Sequence, residues 1–472
     1  MGNKPWDAAA EKEWSAFIAA IGEARASSKC TTLNQCINDK SINPYKVEGD
    51  PDLNLFADCS KLPMELRAYF AIKTGRPFRY VSNVVGDNPS PDSGVAPDYR
   101  YTKGNHPTAW STAKTSPSLG ALMSRITSLY HSGFYRMAPD VEDNDMYPID
   151  IRPGTVHPGT IYYDPNGHVL LVYRVEADGT VRFIDSHPDN SLTNTLFDSR
   201  LGMGSTATGG GFKNMRPISA NGAGYTQNAD LPDYGTSQYG HGSGYYDWVR
   251  NQLSGGMAMK PDVKFGQMTD QLCVDVKARV AAVDAGVHLA TGAMGDMPPD
   301  IYGADGDWEA FSTPGRDVKL RASFRNIAQY VNTSGAAVKS KDPSVAWDGT
   351  SQSLVARYRS MWTQSIASCS FAYTGSDGTS NSLTLADVEK RIYDLSFDPY
   401  ACAEMRWGAY PRAANEQSSC NANDSAHMQR FADERTMRNV IDRPAAGTDT
   451  PIGFGPATPA DIDVSALLSR LE

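Results

Sequence analysis

No run of about 18 apolar residues occurs anywhere in the 472-residue chain, so no transmembrane helix is expected. Basic residues are in deficit: 44 Lys and Arg stand against 54 Asp and Glu, a formal net charge of -10. That balance argues against nucleic acid as the main partner, because binding phosphates needs a basic face. The paired Cys and His spacings of a zinc site are missing. Gly209-Gly210-Gly211-Phe212-Lys213 lacks the Lys-Ser/Thr ending of a phosphate loop and reads as a flexible segment. No cofactor or metal is therefore expected. The acidic run Asp140–Asp145 lacks the alternating ligands and the glycine of an EF-hand loop, and is expected to be solvated. An apolar leader is missing too. Met1-Gly2-Asn3-Lys4-Pro5 leads straight into a polar helix, and Trp6 stands where a myristoylation signal has Ser or Thr.

What is present suits a globular protein. Hydrophobic residues make up 40% and are spread along the whole chain, whose length implies roughly two or three domains. Seven cysteines carry the compartment argument. With Cys59 set aside, six remain, and local spacing favours Cys30–Cys36 and Cys402–Cys420, leaving Cys273–Cys369. Three bridges plus one thiol held back for chemistry imply an oxidising compartment. The expected localisation is periplasmic or secreted, with a leader removed before position 1.

Along the chain, Trp6, Trp14, Phe17, Ile18 and Ile21 recur at helical spacing over residues 5–27. A helix is expected from Cys59 to about Lys73, ended by Thr74-Gly75-Arg76-Pro77. Residues 82–118, rich in Gly, Pro, Ser and Asp, read as an irregular excursion, and another helix follows from Leu119 to His131. The period then changes. Residues 159–164, 168–175 and 181–185, separated by Asp164-Pro165-Asn166-Gly167 and Ala177-Asp178-Gly179, read as a three-stranded antiparallel meander. Residues 202–244 read as a long glycine-rich covering loop. Beyond Met257 the apolar spacing is helical over 270–283, 317–331, 351–368 and 385–395, and the chain closes in an acidic stretch with a short helix. Three regions result: residues 1–50 as an N-terminal helix and disulfide loop, 51–255 as a domain of helix and meander with long inserted loops, and 256–472 as a mostly helical domain.

The chemistry-bearing stretch is Asp58-Cys59-Ser60-Lys61-Leu62. A thiol at a helix start meets the positive end of the helix dipole and unpaired backbone N–H groups, both of which favour the thiolate. His168 opens the second meander strand 109 residues later and can serve as its base; Asp185 ends the third and can orient that imidazole. These motifs resemble the NlpC/P60 cysteine peptidases of the papain-like superfamily. Asp58-Cys59-Ser60-x-Leu62 is similar to their Asp-Cys-Ser-Gly-Leu signature, and Pro158-Gly159-Thr160-Ile161-Tyr162-Tyr163 followed by Gly167-His168-Val169 to their histidine strand. The resemblance covers about 130 residues and departs from the family in three places. Lys61 replaces the usual Gly, some 100 residues separate helix from strands, and the third polar residue lies seventeen positions after His168, with His187 a rival to Asp185. No resemblance covers the chain beyond residue 260.

The resemblance implies an α+β fold: a Cys-bearing helix on an antiparallel sheet, here extended by a helical C-terminal domain. It implies Cys59 as nucleophile, His168 as base and Asp185 as orienting group, acting on peptidoglycan peptides or another amide. The same residues also admit acyl transfer, as in a transamidase or effector, or a non-catalytic cell-wall-binding module.

Overall fold

The computed structural model describes residues 3–88, 91–94, 96–115, 118–219, 224–298, 306–440, 443–444, 451–452 and 462–471. The chain divides into two compact units, Met1–Met257 with Pro444–Pro451, and Ala258–Arg443 with Ile452–Glu472. Residues 1–50 and 51–255, separated in the sequence reading, belong together in the first unit.

The first unit begins with α1 (Ala8–Ala26), started by the Asp7 carboxylate on the Ala10 N–H and flanked by Glu11 and Arg25 at the dipole ends each suits. Next come α2 (Leu33–Asn38), with a Thr32/Gln35 capping box, and α3 (Lys61–Thr74), closed by the left-handed Gly75. The segment expected to be irregular instead contains a hairpin of β1 (Arg79–Val85) and β2 (His106–Thr112); its Asn, Ser and Thr hide the strand pattern. Then follow α4 (Leu119–Leu129), β3 (Met146–Pro148), β4 (Ile161–Asp164), β5 (His168–Val175), β6 (Val181–Ser186), β7 (Leu192–Leu196), β8 (Gly211–Met215) and α5 (Tyr245–Leu253).

The expected meander is present as β4-β5-β6, but the sheet is larger: six strands in the order β3-β8-β4-β5-β6-β7. The region read as a covering loop thus supplies an internal strand, β8, whose five residues are all buried. Both faces of the sheet are covered, and alternation along β5 separates them. Val169, Leu171 and Tyr173 pack with Trp14, Phe17, Leu66 and Phe70 of α1 and α3. Leu170 and Val172 pack with Tyr245, Val249 and Leu253 of α5. The β4–β5 turn closes through Gly167 N–H on the Asp164 carbonyl at 2.9 Å, and Gly167 holds φ at 95°, a value glycine adopts without strain.

The acidic run is not wholly solvated. Asp145 is buried, taking the hydroxyls of Tyr130 and Tyr225 and the Val81 N–H, and burial pushes its carboxyl pKa up. The second unit is built on the long helices Pro261–Gly286, Pro314–Ser340 and Ser351–Ser368, each longer than or equal to its expected span. A small hairpin, Ser370–Thr374 with Ser380–Thr384, was not legible in its polar sequence. The terminal helix Val464–Arg470 docks, with the Val464 N–H on Glu389 at 2.7 Å. The protein is thus α+β with a helical C-terminal region. Among the described residues no helix is long and apolar enough to cross a membrane. The three disulfides are Cys30–Cys36, Cys273–Cys369 and Cys402–Cys420, leaving Cys59 reduced.

At Gly22 the backbone of α1 lies so close to β5 that an added Cβ would meet the Tyr173 Cβ at 2.2 Å. Gly22→Ala is expected to destabilise the first unit by about 1–3 kcal/mol through overpacking, measured as a lowered urea midpoint.

Candidate active site

Cys59 stands at the true start of α3. The Asp58 carbonyl accepts from Leu62 N–H at 3.1 Å, an i to i+4 bond that places Asp58 as the cap and Cys59 as the first helical residue. The Asp58 carboxylate takes the N–H groups of Ser60 (2.9 Å) and Lys61 (3.1 Å), and it also pairs with the Lys61 ammonium. Lys61 therefore neutralises the cap. The cap carboxylate thus engages the N–H groups of Ser60 and Lys61, the two that follow Cys59. The thiol is half-buried.

His168 and Asp185 are brought together. The imidazole Nε2 lies 2.8 Å from Asp185 Oδ2, with the carboxylate side chain 1% exposed and the imidazole 21%. A carboxylate buried that deeply needs donors on both oxygens. Thr193 of β7 donates to Oδ1 at 2.7 Å and Thr195 at 3.3 Å. Because the carboxylate accepts at Nε2, the imidazole holds its proton there, and Nδ1 is the nitrogen with base character. His187, the rival residue, lies against the same carboxylate: its Nε2 is 3.4 Å from Asp185 Oδ2 and 3.1 Å from Thr193 Oγ1, with its ring stacked at 5.9 Å on that of His168. Asp185 thus sits between two imidazoles. Thr193 and Thr195 escape the sequence reading because Asn194 interrupts the apolar alternation of Leu192-Thr193-Asn194-Thr195-Leu196 that would mark β7.

Cys59 is held through its neighbours. The Ser186 hydroxyl, next to Asp185, donates to the Ala57 carbonyl. Tyr135 donates to the Ser60 carbonyl at 2.6 Å, and its ring stacks at 6.3 Å on Tyr163, the cross-strand partner of Val169. The buried guanidinium of Arg136 donates to Pro165 in the turn before His168 (2.9 Å) and to Thr102 of the loop preceding β2. The helix start, the β4–β5 turn and the β1–β2 excursion are thereby tied together. By alternation, His168 and Asp185 share the face of Leu170 and Phe183, whereas Cys59 packs against the core on the other face. His168 opens β5 and Cys59 stands at the start of α3, so both lie at the ends of their elements rather than over the middle of the sheet.

Two buried titratable groups flank this frame. Lys213 donates to the carbonyls of Tyr135 (2.8 Å) and Met137 (3.3 Å), and burial lowers its pKa to about 7. Glu65 of α3 accepts from Thr127 at 2.7 Å, and burial raises its pKa to about 8.

Fold and site together define an α+β protein with a helix-borne free thiol and a buried carboxylate–imidazole pair at adjoining strand ends. Comparison with family models, with curated proteins and with solved structures finds no match.

Between pH 4.5 and about 8 the folded state keeps the Glu65 proton that the unfolded chain releases. The stability this contributes is complete below pH 4.5 and is lost as pH rises through about 8. Glu65→Gln is expected to remove this loss, so the variant gains on the parent protein by on the order of a few kcal/mol across that window. Urea unfolding of both proteins at a series of pH values measures the difference.

Proposed function

We propose that this protein is an exported cysteine hydrolase of papain-like type that cleaves amide bonds, with peptidoglycan stem or cross-link peptides as the favoured substrates. The single observation that carries the reading is the His168–Asp185 pair at 2.8 Å, tethered through Ser186 to the segment that presents the one unbridged cysteine among the described residues. Three disulfides are compatible with export. The substrate class rests on the resemblance of the Asp58–Leu62 and Gly167–Val169 motifs to NlpC/P60 peptidases.

In this reading the Cys59 sulfur bonds to the amide carbonyl carbon, and the oxygen gains charge beside the Cys59 N–H. His168 takes the thiol proton on Nδ1 while its Nε2–H stays on Asp185, then gives that proton to the nitrogen as the C–N bond breaks. Water next attacks the thioester carbon and yields a proton to Nδ1; the C–S bond breaks and the thiolate is restored. Asp185 keeps the ring oriented throughout.

Cys59→Ala is expected to abolish release of muropeptides from purified peptidoglycan, read by mass spectrometry, with the thermal transition unchanged. Asp185→Asn should slow release by about 10²–10⁴-fold. Undiminished release by Cys59→Ala would remove the mechanism. Addition of free amines distinguishes acyl transfer, which would convert the acyl product to the amide.

A further inference from the structure

The segment leading to Cys59 is satisfied along only one of its two edges. From residue 52 to 57, Leu53, Leu55 and Ala57 turn inward while Asp52, Asn54 and Phe56 are exposed. That alternation belongs to an extended chain, in which successive residues aim their N–H and C=O groups to opposite sides. Side-chain amides of α2 close one side. Asn38 accepts from Leu53 N–H at 2.9 Å and donates to Leu53 O at 2.8 Å; Asn34 does the same at Leu55, at 2.7 and 2.9 Å. Two asparagines one turn apart thus stand in for a neighbouring strand. The N–H and C=O of Asn54 and Phe56 aim the other way and meet no hydrogen-bond partner among the described residues.

This open edge borders a groove of about 820 Å³, walled by Tyr69 and Ile72 of α3 and by Leu119 and Met123 of α4, with the charged Lys46, Asp50 and Lys73 beside them. Phe56, at the edge's end, is three residues from Cys59. We infer that the edge takes an extended peptide as an added β-strand and leads it to the thiol. Main-chain groups of the peptide pair with Asn54 and Phe56, its alternate side chains enter the groove against Tyr69, Ile72, Leu119 and Met123, and the others face solvent. The ligand class is a linear peptide with apolar residues at every second position and free N–H groups toward the edge. Peptide binding stands independently of catalysis; only delivery to the thiol rests on the proposed hydrolase.

The test uses full-length Cys59→Ala protein and fluorescein-labelled acetyl-Thr-Val-Ser-Leu-Thr-Val-Ser-amide, read by anisotropy. Saturable binding is expected. It should weaken by at least about tenfold in Asn54→Pro, which lacks the N–H, and stay unchanged in Asn54→Ala, which keeps it. N-methylating one alternate set of the probe's amides should abolish binding, and methylating the other set should spare it. Equal affinities of the two Asn54 variants, equal effects of the two methylated sets, or no saturable binding would overturn the inference. Iodoacetamide labelling of the parent protein keeps the two proposals apart. A reactive Cys59 without peptide binding defeats the edge alone, and peptide binding beside an inert thiol defeats the hydrolase alone.

Discussion

The hydrogen bond from the Ser186 hydroxyl to the Ala57 carbonyl joins two pieces of chain 129 residues apart, and the candidate site depends on it. Ala57 is the last inward-facing residue before the α3 cap, and Ser186 is the last residue of β6. Fixing one to the other fixes where a helix start can lie relative to a strand end. Around this link the tie from Tyr135 to Ser60 and the Arg136 clamp on the β4–β5 turn remove the remaining freedom. Each connects backbone carbonyls, so the positioning is insensitive to side-chain identity at the linked positions and sensitive to the donors Ser186, Tyr135 and Arg136.

A buried carboxylate is the costly element of this arrangement. Taking one out of water costs of order several kcal/mol unless donors replace its hydration. Asp185 has Thr193, Thr195 and His168 as donors, with a second imidazole alongside. Those donors come from β5 and β7, so the carboxylate is satisfied only where both strands flank β6, while the thiol is carried by a helix packed in the opposite core.

Local spacing carried much of this to the reader of the sequence. The α1 stripe of Trp14, Phe17, Ile18 and Ile21, the turns at Gly167 and Gly179, and the helix ending at Gly75 are all short-range signals, and each stands close to where spacing puts it. β8 was hidden because a strand starting in a glycine triplet has no alternation to show, and its burial comes from neighbours far away in the chain. β1 and β2 were hidden because polar residues such as Ser82, Asn83, Thr108 and Ser111 interrupt their apolar alternation. Asp145 read as solvated because its two tyrosine partners, Tyr130 and Tyr225, are remote in sequence.

The sequence by itself determined the cysteine pairing, the helix that follows Asp58, the order of the β4-β5-β6 meander and the candidates Cys59, His168 and Asp185, because caps, turns and periodicity act over a few residues. Only the tertiary structure decided which oxygen of Asp185 holds His168, that His187 shares the same carboxylate, and that Asn34 and Asn38 close one edge of the segment before Cys59 while leaving the other open. Those contacts join residues whose spacing in the chain carries no periodic signal; they exist because two hydrophobic cores fold the sheet between helices and bring polar groups to its ends.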